Sequence, residues 1–260
     1  MNFHSFGDRG NPPLILLHGI GAGHRLWLRQ IEHFRGSHFV IAPDLPGFTG
    51  RTDVKRPDIA DIAGRLAQEL AARALGPVVL CGISAGASVA LAAAARMGSG
   101  VSRLIVSAPQ ARPPRFMLGL QILISALMPE AALAAIGRSA VRDDAEIAAA
   151  AAEDIGALGK PGLLAAMRAL QRMDLRAELP GITAPTWVFC GERDRVNLPA
   201  ARAIAAQLGG ARLWIAPDAG HLWNVEAPAR FNEALADALR GDGHAGLSAA
   251  GTHSVPPKIN

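Results

Sequence analysis

The chain has 260 residues, half of them hydrophobic and 18% charged, which is enough to bury a full core without metals or disulfides and excludes a disordered or coiled-coil chain. The formal charge is +4 and the pI is near 9.8, but the basic residues are dispersed arginines with no Lys/Arg run, so nucleic acid is not the expected partner. Cys81 and Cys190 each precede a glycine at the end of an apolar run, as small buried residues do, and the N-terminus lacks a basic segment followed by an apolar core; the expected location is cytoplasmic.

Continuous apolar runs of strand length punctuate the chain: Leu14 to Leu17, His38 to Ala42, Val78 to Cys81, Leu104 to Val106, Thr186 to Cys190 and Arg212 to Ala216. Continuity, in place of alternation, predicts parallel strands covered on both faces. Between them, Pro57 to Leu75 carries Ile59, Ile62, Ala63, Leu66, Ala67 and Leu70 at helical spacing, and Ala85 to Met97 is an alanine-rich helix. Pro199 to Leu208 and Pro228 to Leu239 each open with a proline, which suits a first helical turn. The alternation predicts an α/β fold, a mostly parallel central sheet flanked by helices, with sites beyond the C-terminal strand ends.

One region breaks the rhythm. Residues 112–180 hold helical patterns without a strand, with eight basic and eight acidic residues, and read as a helical cap inserted into a core of 1–111 and 181–240. Phe116 to Met128 is too short to span a bilayer. Its Phe116, Met117, Leu120, Leu123, Leu127 and Met128 are candidates for an apolar acyl pocket. Residues 241–260, rich in Gly, Ser, Ala and Pro, read as a disordered tail.

Ser84 lies in Gly82-Ile83-Ser84-Ala85-Gly86, between a strand and a helix. A turn that sharp strains the middle residue, and glycines on either side remove side chains that would clash. The hydroxyl is thereby held at the tip of the sheet beside a helix N-terminus, whose dipole favours developing negative charge. A serine needs a base, and His221, behind Gly220 and after the last strand, is the candidate. Asp194 is the orienting carboxylate, with Glu192 and Asp218 as rivals. The backbone N–H groups of Ala85 and of Ile20, in the loop His18 to Gly23, are the candidate oxyanion donors. That loop lacks the Lys and Ser/Thr of a phosphate-binding loop.

The order Ser, Asp, His, together with His18-Gly19, Asp44-Leu45-Pro46-Gly47-Phe48 and the Gly82–Gly86 elbow, resembles the α/β-hydrolase superfamily over roughly residues 3 to 240. Within it, the chain looks like small bacterial esterases of the pimeloyl-carrier-protein methyl ester and oxoadipate enol-lactone hydrolase kind. It departs from the family where Thr49-Gly50-Arg51-Thr52 is one residue longer than the usual continuation, and where Ala87 replaces a second glycine. The resemblance implies hydrolysis of a small carboxylic ester, a lactone or a thioester with no cofactor and no metal. Ser84 in place of an aspartate nucleophile argues against epoxide and haloalkane chemistry, and the absence of tyrosine excludes an epoxide hydrolase. A triad-retaining ligand receptor and a lyase on the same scaffold are the other readings.

Overall fold

The computed structural model describes residues 1–52 and 54–242. Seven strands form one sheet: β1 (Asn2–Phe6), β2 (Pro13–Leu17), β3 (Phe39–Asp44), β4 (Val78–Ile83), β5 (Val101–Ser107), β6 (Thr186–Gly191) and β7 (Arg212–Ala216). Their order is β1-β3-β2-β4-β5-β6-β7, and every pairing is parallel except β1 with β3. The six parallel strands are those the apolar runs predict. β1 was not expected, because Asn2, His4 and Ser5 interrupt its apolar residues; it survives as a half-exposed edge strand.

Helices α1 (Leu28–Phe34), α2 (Ile59–Ala72), α3 (Ala85–Met97), α7 (Leu198–Gln207), α8 (Trp223–Glu226) and α9 (Pro228–Arg240) flank the sheet, while α4 (Arg115–Leu127), α5 (Glu130–Ser139) and α6 (Ala145–Arg172) lie together between β5 and β6. No strand interrupts that insertion. The α6 helix is broken at Gly159, where φ is 64° and Pro161 follows. Asp58 and Asp144 cap α2 and α6 through their carboxylates, each accepting two backbone N–H groups. The expected tail lies outside the described residues apart from Gly241 and Asp242.

Two apolar clusters sandwich the sheet. On one face, Ile15, Leu80, Leu104 and Val188 pack against α2 and α3; on the other, Leu16, Cys81, Ile105 and Phe189 pack against Trp27, Trp223 and Phe231. Both cysteines are free and buried, and burial pushes the Cys190 thiol up to about 12.

This topology fixes where a site forms. The chain runs from β2 outward to β3 and then returns past β2 to β4, so the C-terminal ends of β2 and β4 are neighbours at a switch point. The His18–Gly23 loop leaves one of them and Ser84 the other.

Candidate active site

Ser84 has φ 57° and ψ −124°, a conformation that costs a non-glycine residue about 1–3 kcal/mol. Its surroundings enforce it. The Ser84 N–H donates to the Ser107 carbonyl at 2.9 Å, and the Ser84 carbonyl accepts from Ala87 N–H at 3.0 Å as α3 begins. A Cβ on Gly82 would meet the Gly86 carbonyl, and one on Gly86 would meet the Leu17 and His18 carbonyls. The two glycines therefore let α3 start directly against the ends of β4 and β2, as the motif predicts. Gly19 faces the serine, since a Cβ there would lie 3.3 Å from Ser84 Cβ.

His221 and Asp194 meet beyond the ends of β7 and β6. His221 Nδ1 donates to Asp194 Oδ2 at 2.6 Å, with Asp194 buried and His221 partly open. Burial alone would raise the Asp194 carboxyl, but donors from His221 and Asn197 outweigh it and hold the group below the usual carboxylate range. The rival acids are occupied elsewhere. Glu192 accepts the Asp218 N–H at 3.0 Å, and Asp218 sits in a turn at φ 54°.

The serine and the His–Asp pair share an anchor. Ser107 receives the Ser84 N–H on its carbonyl and the Trp223 indole N–H on its hydroxyl at 3.0 Å, and Trp223 follows His221 by two residues. Ser84 Oγ itself makes no hydrogen bond to His221; contacts of this kind often tighten only around substrate. Of the expected oxyanion donors, the Ile20 and Ala85 N–H groups make no backbone hydrogen bond among the described residues, whereas their neighbours Gly21 and Ser84 do.

A model of the alpha/beta hydrolase family matches residues 14–234. This chain belongs to that family. It is 25% identical over 244 residues to 3-oxoadipate enol-lactonase 2 of Acinetobacter baylyi, covering 90% of this chain and 91% of the relative. It is 28% identical over 252 residues to a pimeloyl-[acyl-carrier protein] methyl ester esterase of Aromatoleum aromaticum, covering 88% and 99%. Among solved structures, a hydrolase from Pseudomonas aeruginosa superposes with a TM-score of 0.80 at 26% identity, over 91% of this chain and 93% of that one.

Within this alpha/beta hydrolase, two residues of the site escaped the sequence reading. Asn197 Nδ2 donates to both oxygens of Asp194 at 2.9 Å, and Gln110 Nε2 donates to Asn197 Oδ1 at 2.9 Å. Ser88, on the helix that Ser84 begins, donates in turn to the Gln110 carbonyl at 2.7 Å. Asn197 had a readable signal: it lies three residues after Asp194, whose carboxylate also accepts the Asn197 backbone N–H at 3.2 Å in an Asx-type turn. Gln110 had none.

Of the expected acyl-pocket residues, Phe116 is 80% exposed and Leu127 78%; Met117, Leu120 and Leu123 are also exposed, and Met128 is half-buried. The α4 helix is apolar nearly all round, and its other face, with Ile122 against Leu164 and Met167 of α6, is the one that packs. Helical spacing identifies both faces and cannot choose between them.

The insertion is tied to the core by ion pairs near the His18–Gly23 loop. Asp154, 1% exposed, receives Arg51 Nε at 2.7 Å and Arg25 at 3.3 Å, and Arg29 holds Asp144 at 2.6 Å. Beside them, Asp44 accepts from His4 Nε2 at 3.0 Å and His24 Nδ1 at 3.1 Å. Although burial works against it, these donors hold the Asp44 carboxyl well below the usual carboxylate range. Two histidines and a carboxylate invite a metal reading. The rings, however, are stacked at 3.6 Å and 20°, so their in-plane lone pairs run nearly parallel and do not converge on one ion. The cluster is a hydrogen-bonded clamp on the loop.

Proposed function

We propose that the protein is a serine hydrolase that cleaves a small carboxylic ester through an acyl-enzyme. The observation that carries this reading is the 2.6 Å His221–Asp194 pair, tied through Trp223 and Ser107 to the serine at the elbow. Ser84 Oγ attacks the carbonyl carbon while His221 Nε2 takes its proton. The ionised Asp194 keeps the Nδ1–H tautomer and stabilises the imidazolium. The oxyanion is received by the N–H groups of Ile20 and Ala85, which are unspent inside the fold and lie next to the α3 N-terminus. The imidazolium then protonates the leaving alcohol, and water repeats the sequence to release the acid. Residues 112–180 serve as the cap over this site.

The relatives support an ester or lactone carbonyl, one being an enol-lactonase and another a methyl ester esterase. Thioesters fit the same machinery. The test is labelling of the folded protein with a fluorophosphonate, followed by mapping of the modified residue, alongside turnover of nitrophenyl esters of increasing acyl length. Label on Ser84, lost in Ser84→Ala together with a fall in kcat of at least about 10⁴-fold, is the expected result. Label elsewhere, or a Ser84→Ala variant that still turns over esters, refutes it.

A further inference from the structure

The outward face of α4 has no partner among the described residues. Phe116, Leu120, Leu123 and Leu127 recur along it at helical spacing, flanked by Met117 and Ile124, and each is between 43% and 80% exposed. Among the described residues, every large exposed apolar residue apart from Val196 and Ile136 lies on this helix. A contiguous patch of this kind marks a binding surface rather than ordinary scatter.

The charges around it are sorted. The insertion carries eight basic and eight acidic residues, but six of the acids are spent on pairing. Asp144, Glu146, Glu153 and Asp154 bind Arg25, Arg29 and Arg51 of the core, Glu178 binds Arg96, and Asp174 binds Arg176. Arg115, Arg138, Arg142 and Arg168 are left exposed and free of ion pairs among the described residues, against Glu130 and Asp143 alone on the acidic side. Arg115 adjoins Phe116. Arg168 lies one turn from Gln171, whose amide binds the Arg115 carbonyl at 3.0 Å. No acidic residue occurs from Arg112 to Pro129.

An apolar stripe flanked by the unpaired Arg115 and Arg168 suits docking at an anionic membrane interface, and no helix among the described residues is long and apolar enough to cross one. We propose that α4 docks the protein on an anionic phospholipid surface, its apolar side chains entering the headgroup boundary and Arg115 and Arg168 meeting the phosphates. The proposal concerns where the protein works and does not depend on which bond Ser84 cleaves.

The test is co-sedimentation of the full chain with vesicles of phosphatidylcholine alone and of equal parts phosphatidylcholine and phosphatidylglycerol. Wild type is expected to partition onto the anionic vesicles and to release as salt is raised. Arg115→Glu with Arg168→Glu loses at least about 25-fold in partitioning, since each arginine is worth about fivefold near such a surface. Phe116→Ser with Leu123→Ser and Leu127→Ser abolishes it, while the melting temperature stays unchanged. Wild type that stays in the supernatant, or that binds both vesicles equally, overturns the proposal. So does a wild-type dimer, indifferent to vesicles, that the triple serine variant converts to monomer, since the face is then an interface between copies.

Discussion

Asn197 gives its side-chain amide to both carboxylate oxygens of Asp194, at 2.9 Å each, beside His221 Nδ1, which approaches the same carboxylate at 2.6 Å. The 3.2 Å between Asn197 Nδ2 and His221 Nδ1 is therefore the spacing of two donors converging on one acceptor. Gln110 fixes which end of the Asn197 amide faces Asp194. Asn197 thus holds the Asp194 carboxylate in place.

Replacing Asn197 by Ala removes that support without touching substrate. The expected outcome is a kcat lowered about 10- to 100-fold with KM little changed, the range typical of residues that orient a reacting group through another. Fluorophosphonate labelling of Ser84 should slow in parallel, because both report on the same base. A change confined to KM contradicts the assignment.

The elbow sets a second expectation. Gly86→Ala forces a methyl into the Leu17 and His18 carbonyls, which the sheet holds in place, and costs about 3 kcal/mol in urea unfolding. Gly64, inside α2, has open space around the position of a Cβ, so Gly64→Ala stabilises the protein by about 0.5–1 kcal/mol. The opposite signs separate a glycine required by close approach from one that is merely present.

Asp154 binds two arginines while almost fully buried. Arg25 and Arg51 are themselves 24% and 36% exposed, so water moderates the loss when the acid is removed. Asp154→Ala is expected to cost about 1–2 kcal/mol, below the value for a fully buried pair. Hydrogen exchange should quicken first in the N-terminal half of α6, ahead of the sheet.

His18 supplies a pH dependence. It is fully buried, its Nδ1 donates to the Gly19 carbonyl at 2.7 Å, and its Nε2 accepts the Leu45 N–H at 2.8 Å, so both nitrogens are committed to the neutral ring. Burial holds its pKa below the ordinary histidine value. The stability that the neutral ring contributes is complete above about pH 6.5, where the unfolded chain is also unprotonated, and declines below it as only the unfolded state takes the proton. Wild type should lose up to about 1.4 kcal/mol per pH unit through this group below about pH 6.5, down to the folded pKa. His18→Gln, less stable at pH 7, should lose less between pH 7 and 5.5; equal losses refute the linkage.

Local chemistry by itself determined the six parallel strands and the strand–helix turn at Ser84. A strand covered on both faces must be continuously apolar, and a tight elbow must carry glycine, so Val78 to Gly86 states its own conformation. Tertiary structure decided what depends on partners distant in sequence. The β1 strand exists because β3 offers it an edge. Gln110 carries no motif and meets Asn197, 87 residues on, only where β5 and β6 end side by side. Equal numbers of charges in residues 112–180 conceal that six of the acids are paired while Arg115, Arg138, Arg142 and Arg168 are free of ion pairs among the described residues. The outward apolar face of α4 follows from the same limit: a helix apolar on both sides presents two candidate cores, and only packing against Leu164 and Met167 selects one and leaves Phe116 to the surface.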